Sequence, residues 1–210
     1  MSMFKSRGKR TRRLVSFLRR RAEAEAARRP EMDCRNFPDL FRKRAIVFTD
    51  TADFTVRTAR DGILHFLMIF DRFVEQAEDV VGRDGGDIVK VEADSLLLRY
   101  AGVKAACAGV DTIESLLDRM NRKLPANERL RFSYGIGYGD VLDLDQDMFG
   151  LEVNLASKIG EDLARPGEAL LTPSAAAALD AAALRRVVPH KIVAFGRNAI
   201  PVSRLKLRRR

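Results

Sequence analysis

Two strand-like runs, DIVKVEAD (87–94) and SLLLRY (95–100), follow Gly85-Gly86 with room between them for nothing longer than a tight turn. A parallel pair needs a crossover of a dozen or more residues, so these strands must pair antiparallel. Helical patterns flank them. DGILHFLMIFDRFVEQAEDVV (61–81) places Ile63, Phe66, Leu67, Phe70, Phe73 and Val74 on one stripe, and a second helix is expected from about Val103 to Arg122. RAIVFTD (44–50) reads as a buried strand, and RLRFSYGIGYGDVLDLDQD (129–147) as a strand pair whose Gly135, Gly137 and Gly139 mark a bend or a close backbone approach. GLEVNLASKIGEDLA reads as a helix burying Val153, Ala156, Ile159 and Leu163; the Pro166-Gly167 turn, the strand EALLT, the helix SAAAALDAAAL and strands near 187–194 and 199–205 complete the chain. Such alternation predicts an α+β fold, a mostly antiparallel sheet with helices on one face.

Charge divides the chain into an N-terminal extension, a core and a short tail. Residues 1–44 hold 15 Lys/Arg against 5 Asp/Glu, residues 204–210 hold 5 basic and no acidic residues, and residues 45–203 hold 18 against 24. The net charge of +9 therefore belongs to the ends, and the foldable segment is acidic. A nucleic-acid-binding core is not expected, since no basic patch with interleaved aromatics appears there. The expected division is a basic helical extension and linker over 1–43, one domain over 44–205 and a basic tail over 206–210. In the extension, Leu14, Phe17, Leu18 and Ala22 fall near helical spacing among arginines, and Pro30 and Pro38 are expected to end the helix in a linker. This helix reads as a solvated tail, as a helix packed on a partner subunit, or as a segment adsorbed peripherally to an anionic membrane surface. No apolar run approaches membrane-spanning length. Cys34 and Cys107 have no metal-ligand spacing, which points to a reducing cytoplasm.

The chemistry concentrates at strand ends. Asp50 closes RAIVFTD and Asp94 follows VKVEA, and carboxylates at such ends either cap turns or converge at one sheet edge. A convergent pair without histidines suits a hard cation such as Mg²⁺, which takes oxygen ligands and substrate phosphates. Asn154 and Lys158, four apart, share one helix face. His65, His190, Glu161 and Asp162 read as ordinary packing, loop or solvated residues.

Four motifs in order, FTDTADFT (48–55), VKVEADS (89–95), DMFGLEVNLASK (147–158) and PGEALLT (166–172), resemble the catalytic domain of the class III nucleotidyl cyclases, the adenylate/guanylate cyclase family. The resemblance covers roughly 44–205 and implies the family's ferredoxin-like fold. It implies two Mg²⁺ or Mn²⁺ ions per site on Asp50, Asp94 and the Thr51 carbonyl, with the turn Ala52, Asp53, Phe54 and Thr55 cradling phosphates. The reaction implied is attack of the ribose 3′-hydroxyl of ATP on the α-phosphorus, giving cyclic AMP and pyrophosphate. Asp53 stands where the family commonly has a small residue, so its side chain is expected to point away from the phosphates. Adenine offers an amino donor and a ring acceptor, which Asp147 and Lys90 complement. Asn154 would orient the ribose and Lys158 would stand where the family has arginine, a point charge in place of a fork. Phe195-Gly196 occupies the place of the family's Lys-Gly, with Lys191 or Arg197 as substitutes. The resemblance implies a homodimer with composite sites, each chain giving metal carboxylates to one site and base-reading residues to the other. A degenerate nucleotide-binding regulatory or dimerisation module, and a cyclase for another nucleoside triphosphate, are the alternatives.

Overall fold

A computed structural model describes residues 8–208, with Asp39 and Asn198 described by backbone only. Residues 1–7 of the expected extension and 209–210 of the expected tail lie outside the described residues. One eight-stranded sheet runs in the order β2-β3-β1-β4-β6-β8-β7, with β5 paired to β4. Its strands are β1 (Phe41–Thr51), β2 (Gly86–Glu92), β3 (Ser95–Tyr100), β4 (Phe132–Asp143), β5 (Met148–Phe149), β6 (Ala169–Leu171), β7 (Val187–Phe195) and β8 (Asn198–Leu205). Every pairing is antiparallel except β4 with β6. The hairpin β2–β3 pairs as the short turn requires, and β1 sits between β3 and β4.

Helices cover both faces, not one. On one side α4 (Ile63–Arg83) and α5 (Val103–Asn121) pack Phe66, Phe70, Phe73, Val110 and Ile113 against Ala45, Val47, Leu98, Tyr134 and Ile136. On the other, α6 (Leu151–Glu161) packs Val153 and Ala156 against Ile46, Val89, Leu97 and Val141. The run AIVF in β1 lacks alternation because successive residues enter opposite cores. Leu163, expected on the buried side of α6, lies beyond its end and packs with Ile159, Leu170 and Val202.

Several expected elements change shape. Residues 129–147 give one 12-residue strand, β4, rather than a strand pair, and only the two residues of β5 fold back on it. The glycines make a close approach, not a bend. A Cβ on Gly135 would sit 1.8 Å from the Ala156 carbonyl oxygen, and one on Gly137 2.5 Å from that of Glu152. These alternate positions share one strand face, so α6 lies almost on the backbone of β4. The segment 54–61 is a separate helix, α3 (Phe54–Asp61), divided from α4 by Gly62 at φ 85°. The alanine-rich stretch splits into α7 (Pro173–Ala177) and α8 (Ala181–Leu184), because the Asp180 carboxylate accepts the Ala183 N–H and starts a new helix.

The basic extension folds onto the sheet. α1 (Lys9–Glu23) buries Leu14 and Phe17 with Leu40 and Leu144, contacts of about 1.5–3 kcal/mol per side chain. Of the apolar face expected to meet a partner subunit or an anionic surface, Leu14 and Phe17 are covered by the chain itself, while Leu18 and Ala22 are exposed. The expected linker is a helix, α2 (Arg29–Leu40). Pro30 falls in its first turn, where the missing N–H costs nothing, and Pro38 in its last, so neither breaks it in the middle. β1 begins at Phe41, three residues before the expected domain start at Arg44.

Candidate functional site

The threonines of FTDTADFT tie the end of β1 to the β2–β3 turn. Thr49 Oγ1 accepts the Leu96 N–H at 2.9 Å, and Thr51 Oγ1 donates to the Asp94 carbonyl at 2.6 Å. The half-buried carboxyls of Asp50 and Asp94 are thereby brought side by side. Burial chiefly, then the charges of Asp94, Glu161 and Asp162, push the Asp50 carboxyl up to about 6. Burial also raises Asp94, against the backbone N–H groups of Asp94 and Thr51 that lower it. Neither carboxylate has an ion-pair partner among the described residues. Two desolvated carboxylates, with Asp94 raising the affinity of Asp50 for a proton, form an oxygen-donor set suited to a hard divalent cation. Among the described residues no three His, Cys, Asp or Glu side chains are grouped so as to hold a metal ion.

Both turns carry strain. Asp53 at φ 62° and Ala93 at φ 53° are the non-glycine residues with positive φ among those described, one beside each carboxylate. Such backbone costs about 1–2 kcal/mol per residue and persists where the surroundings fix it. The Asp53 carboxylate turns aside to Arg131, at 2.7 Å. Of the expected phosphate cradle, the Ala52 N–H already donates to the Arg131 carbonyl at 2.9 Å and is not available. Asp53 precedes α3 while Phe54 and Thr55 open it, so the N–H groups of Phe54 and Thr55 have no acceptor within their helix.

Lys90 reaches its place through a bulge. Ile88 pairs with Leu98, and the register then shifts so that Lys90 pairs with Leu97. Strict alternation from Ile88 would aim Lys90 into the α4–α5 core; the bulge turns it to the α6 side, where Leu97 packs. There its ammonium lies 3.0 Å from Glu92 Oε2 and 3.5 Å from Asp147 Oδ2. Asp147 is held by the start of β5, its Oδ1 accepting the Met148 N–H at 2.9 Å.

Asn154 is exposed on α6, and Lys158, one turn on, pairs with Asp162 at 2.7 Å. The helix therefore starts beside Asp147 and ends with carboxylates whose field reaches Asp50. Its first turn is fixed by the buried Glu152, which accepts the Tyr138 N–H at 3.1 Å and the Thr172 hydroxyl at 2.7 Å. Lys191 donates to the Leu163 carbonyl at 3.4 Å, just past α6, whereas Arg197 is exposed in the β7–β8 turn. Sequence reasoning missed Glu92 as a partner of Lys90, Glu152 as the anchor of α6, and the reach of Glu161 and Asp162. Only Glu152 left a signal, an acidic residue in the first turn of an otherwise apolar helix face.

Solved structures with this arrangement of strands and helices include the adenylate/guanylate cyclase/hydrolase of Silicibacter pomeroyi, 23% identical, covering 79% of this chain and 96% of that one at a TM-score of 0.65. The guanylate cyclase domain from Catenaria anguillulae in complex with GTP covers 80% and 97% at 0.66 with 16% identity. The fold is that of a class III nucleotidyl cyclase catalytic domain. A bacterial light-regulated adenylyl cyclase gives a TM-score of 0.68 at 18% identity over 79% of this chain and 51% of its own. In sequence, "Putative adenylate cyclase 3" of Rhizobium meliloti is 29% identical over 126 residues, 60% of this chain. The matched part is 21% of that relative's length. No protein-family model matches the chain. Cyclase folds of both adenylyl and guanylyl type thus stand among the neighbours.

Proposed function

We propose that the chain is an adenylate cyclase that converts ATP to cyclic AMP and pyrophosphate as a homodimer with composite sites. The observation that carries this is the Lys90–Asp147 pair on the α6 side of the sheet, a donor and an acceptor held 3.5 Å apart. The adenine ring nitrogen accepts from an ammonium and its amino group donates to a carboxylate, whereas guanine presents the reverse. Asp50 and Asp94 would hold Mg²⁺ or Mn²⁺, with the Thr51 carbonyl beside them. Bound there, divalent ions supply Lewis-acid activation of the 3′-hydroxyl and charge neutralisation of the triphosphate. Phe54 and Thr55 offer N–H groups to phosphate oxygens, and Asn154 offers its amide to the ribose. Lys158 supplies positive charge toward the reacting phosphate once it leaves Asp162.

The test is incubation of the purified chain with each nucleoside triphosphate and Mn²⁺, with products identified by mass spectrometry. Cyclic AMP that disappears in Asp94→Ala is expected, and a cyclic product from another base alone would overturn the assignment. The Lys158–Asp162 pair favours a second reading, a nucleotide-binding module without turnover, since it neutralises the cation the reaction needs. Absence of any cyclic product with retained ATP binding would select that reading.

A further inference from the structure

The N-terminus of α1 is capped by a carboxylate far away in sequence. Gly8 precedes the helix and has no side chain to cap it, and the first turn, Lys9, Arg10, Thr11 and Arg12, contains no acid. A basic first turn opposes the helix dipole, so this helix needs an external anion. Asp145 supplies it: its Oδ2 accepts both the Thr11 N–H and the Thr11 hydroxyl at 3.0 Å. The fit is close, because a Cβ on Gly8 would stand 2.0 Å from the Asp145 carboxyl carbon. Thr11 is buried, and below it Leu14 and Phe17 close over Leu144.

Asp145 lies at the centre of the turn between β4 and β5 that also carries Asp147. That turn is closed by the Leu144 N–H on the Asp147 carbonyl at 3.0 Å. Its near end is fixed by Asp143, whose fully buried carboxylate is shared by Arg10 of α1 at 3.1 Å, Arg44 of β1 at 2.9 Å and Arg99 of β3. Arg99 also donates to the Leu144 carbonyl at 3.2 Å. The three aspartates of DLDQD therefore have separate partners: Asp143 meets the arginines, Asp145 caps α1, and Asp147 faces Lys90.

We infer that α1 is a positioning element of the base-reading pair: by docking on Asp145 it holds the β4–β5 turn so that Asp147 faces Lys90. Thr11, Arg10 and Asp145 act through that turn and touch no nucleotide. This rests on the reading of Lys90 and Asp147 as the residues that read the base. Because no side chain of α1's own caps its N-terminus among the described residues, and Asp145 in the turn meets Thr11, each stabilises the other. Coupling of this kind is reciprocal, so nucleotide held by Asp147 also holds α1 down.

Equilibrium binding of ATP and of GTP to the full chain with Mn²⁺ tests this without requiring turnover. Amide exchange over 9–14 and 143–149 reports the docking itself. Asp145→Ala and Gly8→Ala are each expected to lose protection in both segments and to reduce the ATP:GTP affinity ratio about tenfold, the scale of one lost charge-assisted contact. Asp145→Asn, which keeps an acceptor but loses the charge, is expected to fall between Asp145→Ala and the wild type, and Arg19→Ala, on the exposed face of α1, is expected to retain the wild-type ratio. An unchanged ratio in a variant whose α1 has lost protection overturns the inference, as does undiminished protection of α1 in both variants. A wild-type chain that binds ATP and GTP equally overturns it together with the base assignment. A wild-type chain that prefers ATP but forms no cyclic product removes only the catalytic reading, and the ratio in the variants still decides this one.

Discussion

Lys90 and Asp147 meet within one chain, 3.5 Å apart, although 57 residues separate them and Glu92 competes for the same ammonium at 3.0 Å. A donor and acceptor already facing each other lose little freedom on binding a base of complementary pattern. Lys90→Glu replaces the donor by an acceptor, leaving two carboxylates where adenine needs one. The expected result is an ATP:GTP ratio of kcat/KM lowered about tenfold or more, the cost of one mismatched hydrogen-bonding group. Initial rates with both nucleotides would measure it, and an unchanged ratio would remove Lys90 from the base site.

Asp50 predicts the pH dependence of metal binding. Its carboxyl is raised to about 6, first by burial and then by Asp94, Glu161 and Asp162. A carboxyl whose folded pKa exceeds its unfolded value contributes stability that is fully present below the unfolded value and is lost as the pH rises through the folded one. On this account the metal-free chain loses stability from this group as pH rises through about 6, and a cation must displace a proton below it. Mn²⁺ affinity, measured by calorimetry, is expected to climb between about pH 5 and pH 7 and to flatten above. In Asp50→Asn that slope should shrink along with the affinity; a slope of wild-type size in this variant would assign the titration elsewhere.

Three glycines on alternate positions of β4 let α6 approach, and the cost of filling that space is calculable. A Cβ on Gly135 would lie 1.8 Å from the Ala156 carbonyl oxygen, a backbone atom that moves only if the helix lifts. Gly135→Ala is expected to lower stability by about 3 kcal/mol or more, as overpacking against backbone does. Gly82→Ala, inside α4 with nothing within 4 Å, is expected to raise it by about 0.5–1 kcal/mol. Urea unfolding midpoints would separate the two, and similar midpoints would mean that α6 rides higher on the sheet.

The parts of this fold that depend on local chemistry were legible in the sequence, and those that depend on register were not. Asp50 and Asp94 could be placed at strand ends because a tight turn admits one pairing. The glycines of β4 announced a close approach, though not which helix makes it. Lys90 could not be aimed from periodicity, since the bulge after Ile88 reverses its face and leaves no residue signature in DIVKVE. The second helical layer was readable in principle: four unbroken apolar residues in β1 demand cover on both sides. Pro38 misled because a proline in a last turn reads from sequence like a helix break.

The composite-site arrangement makes a quantitative prediction. Lys90 and Asp94 are four residues apart along one strand and its turn, roughly 13 Å at the usual strand rise, so one chain presents its base-reading and carboxylate groups at separated places. If each site takes Asp50 from one chain and Asn154 from the other, Asp50→Ala and Asn154→Ala chains are each inactive alone. Mixed in equal amounts and allowed to exchange, about half the dimers carry both chains, and each of these has one intact site out of two, so about a quarter of the wild-type activity returns. Cyclic nucleotide formation against mixing ratio would trace this, with a maximum at equal amounts. Should each chain instead build its whole site from its own residues, no mixture recovers activity.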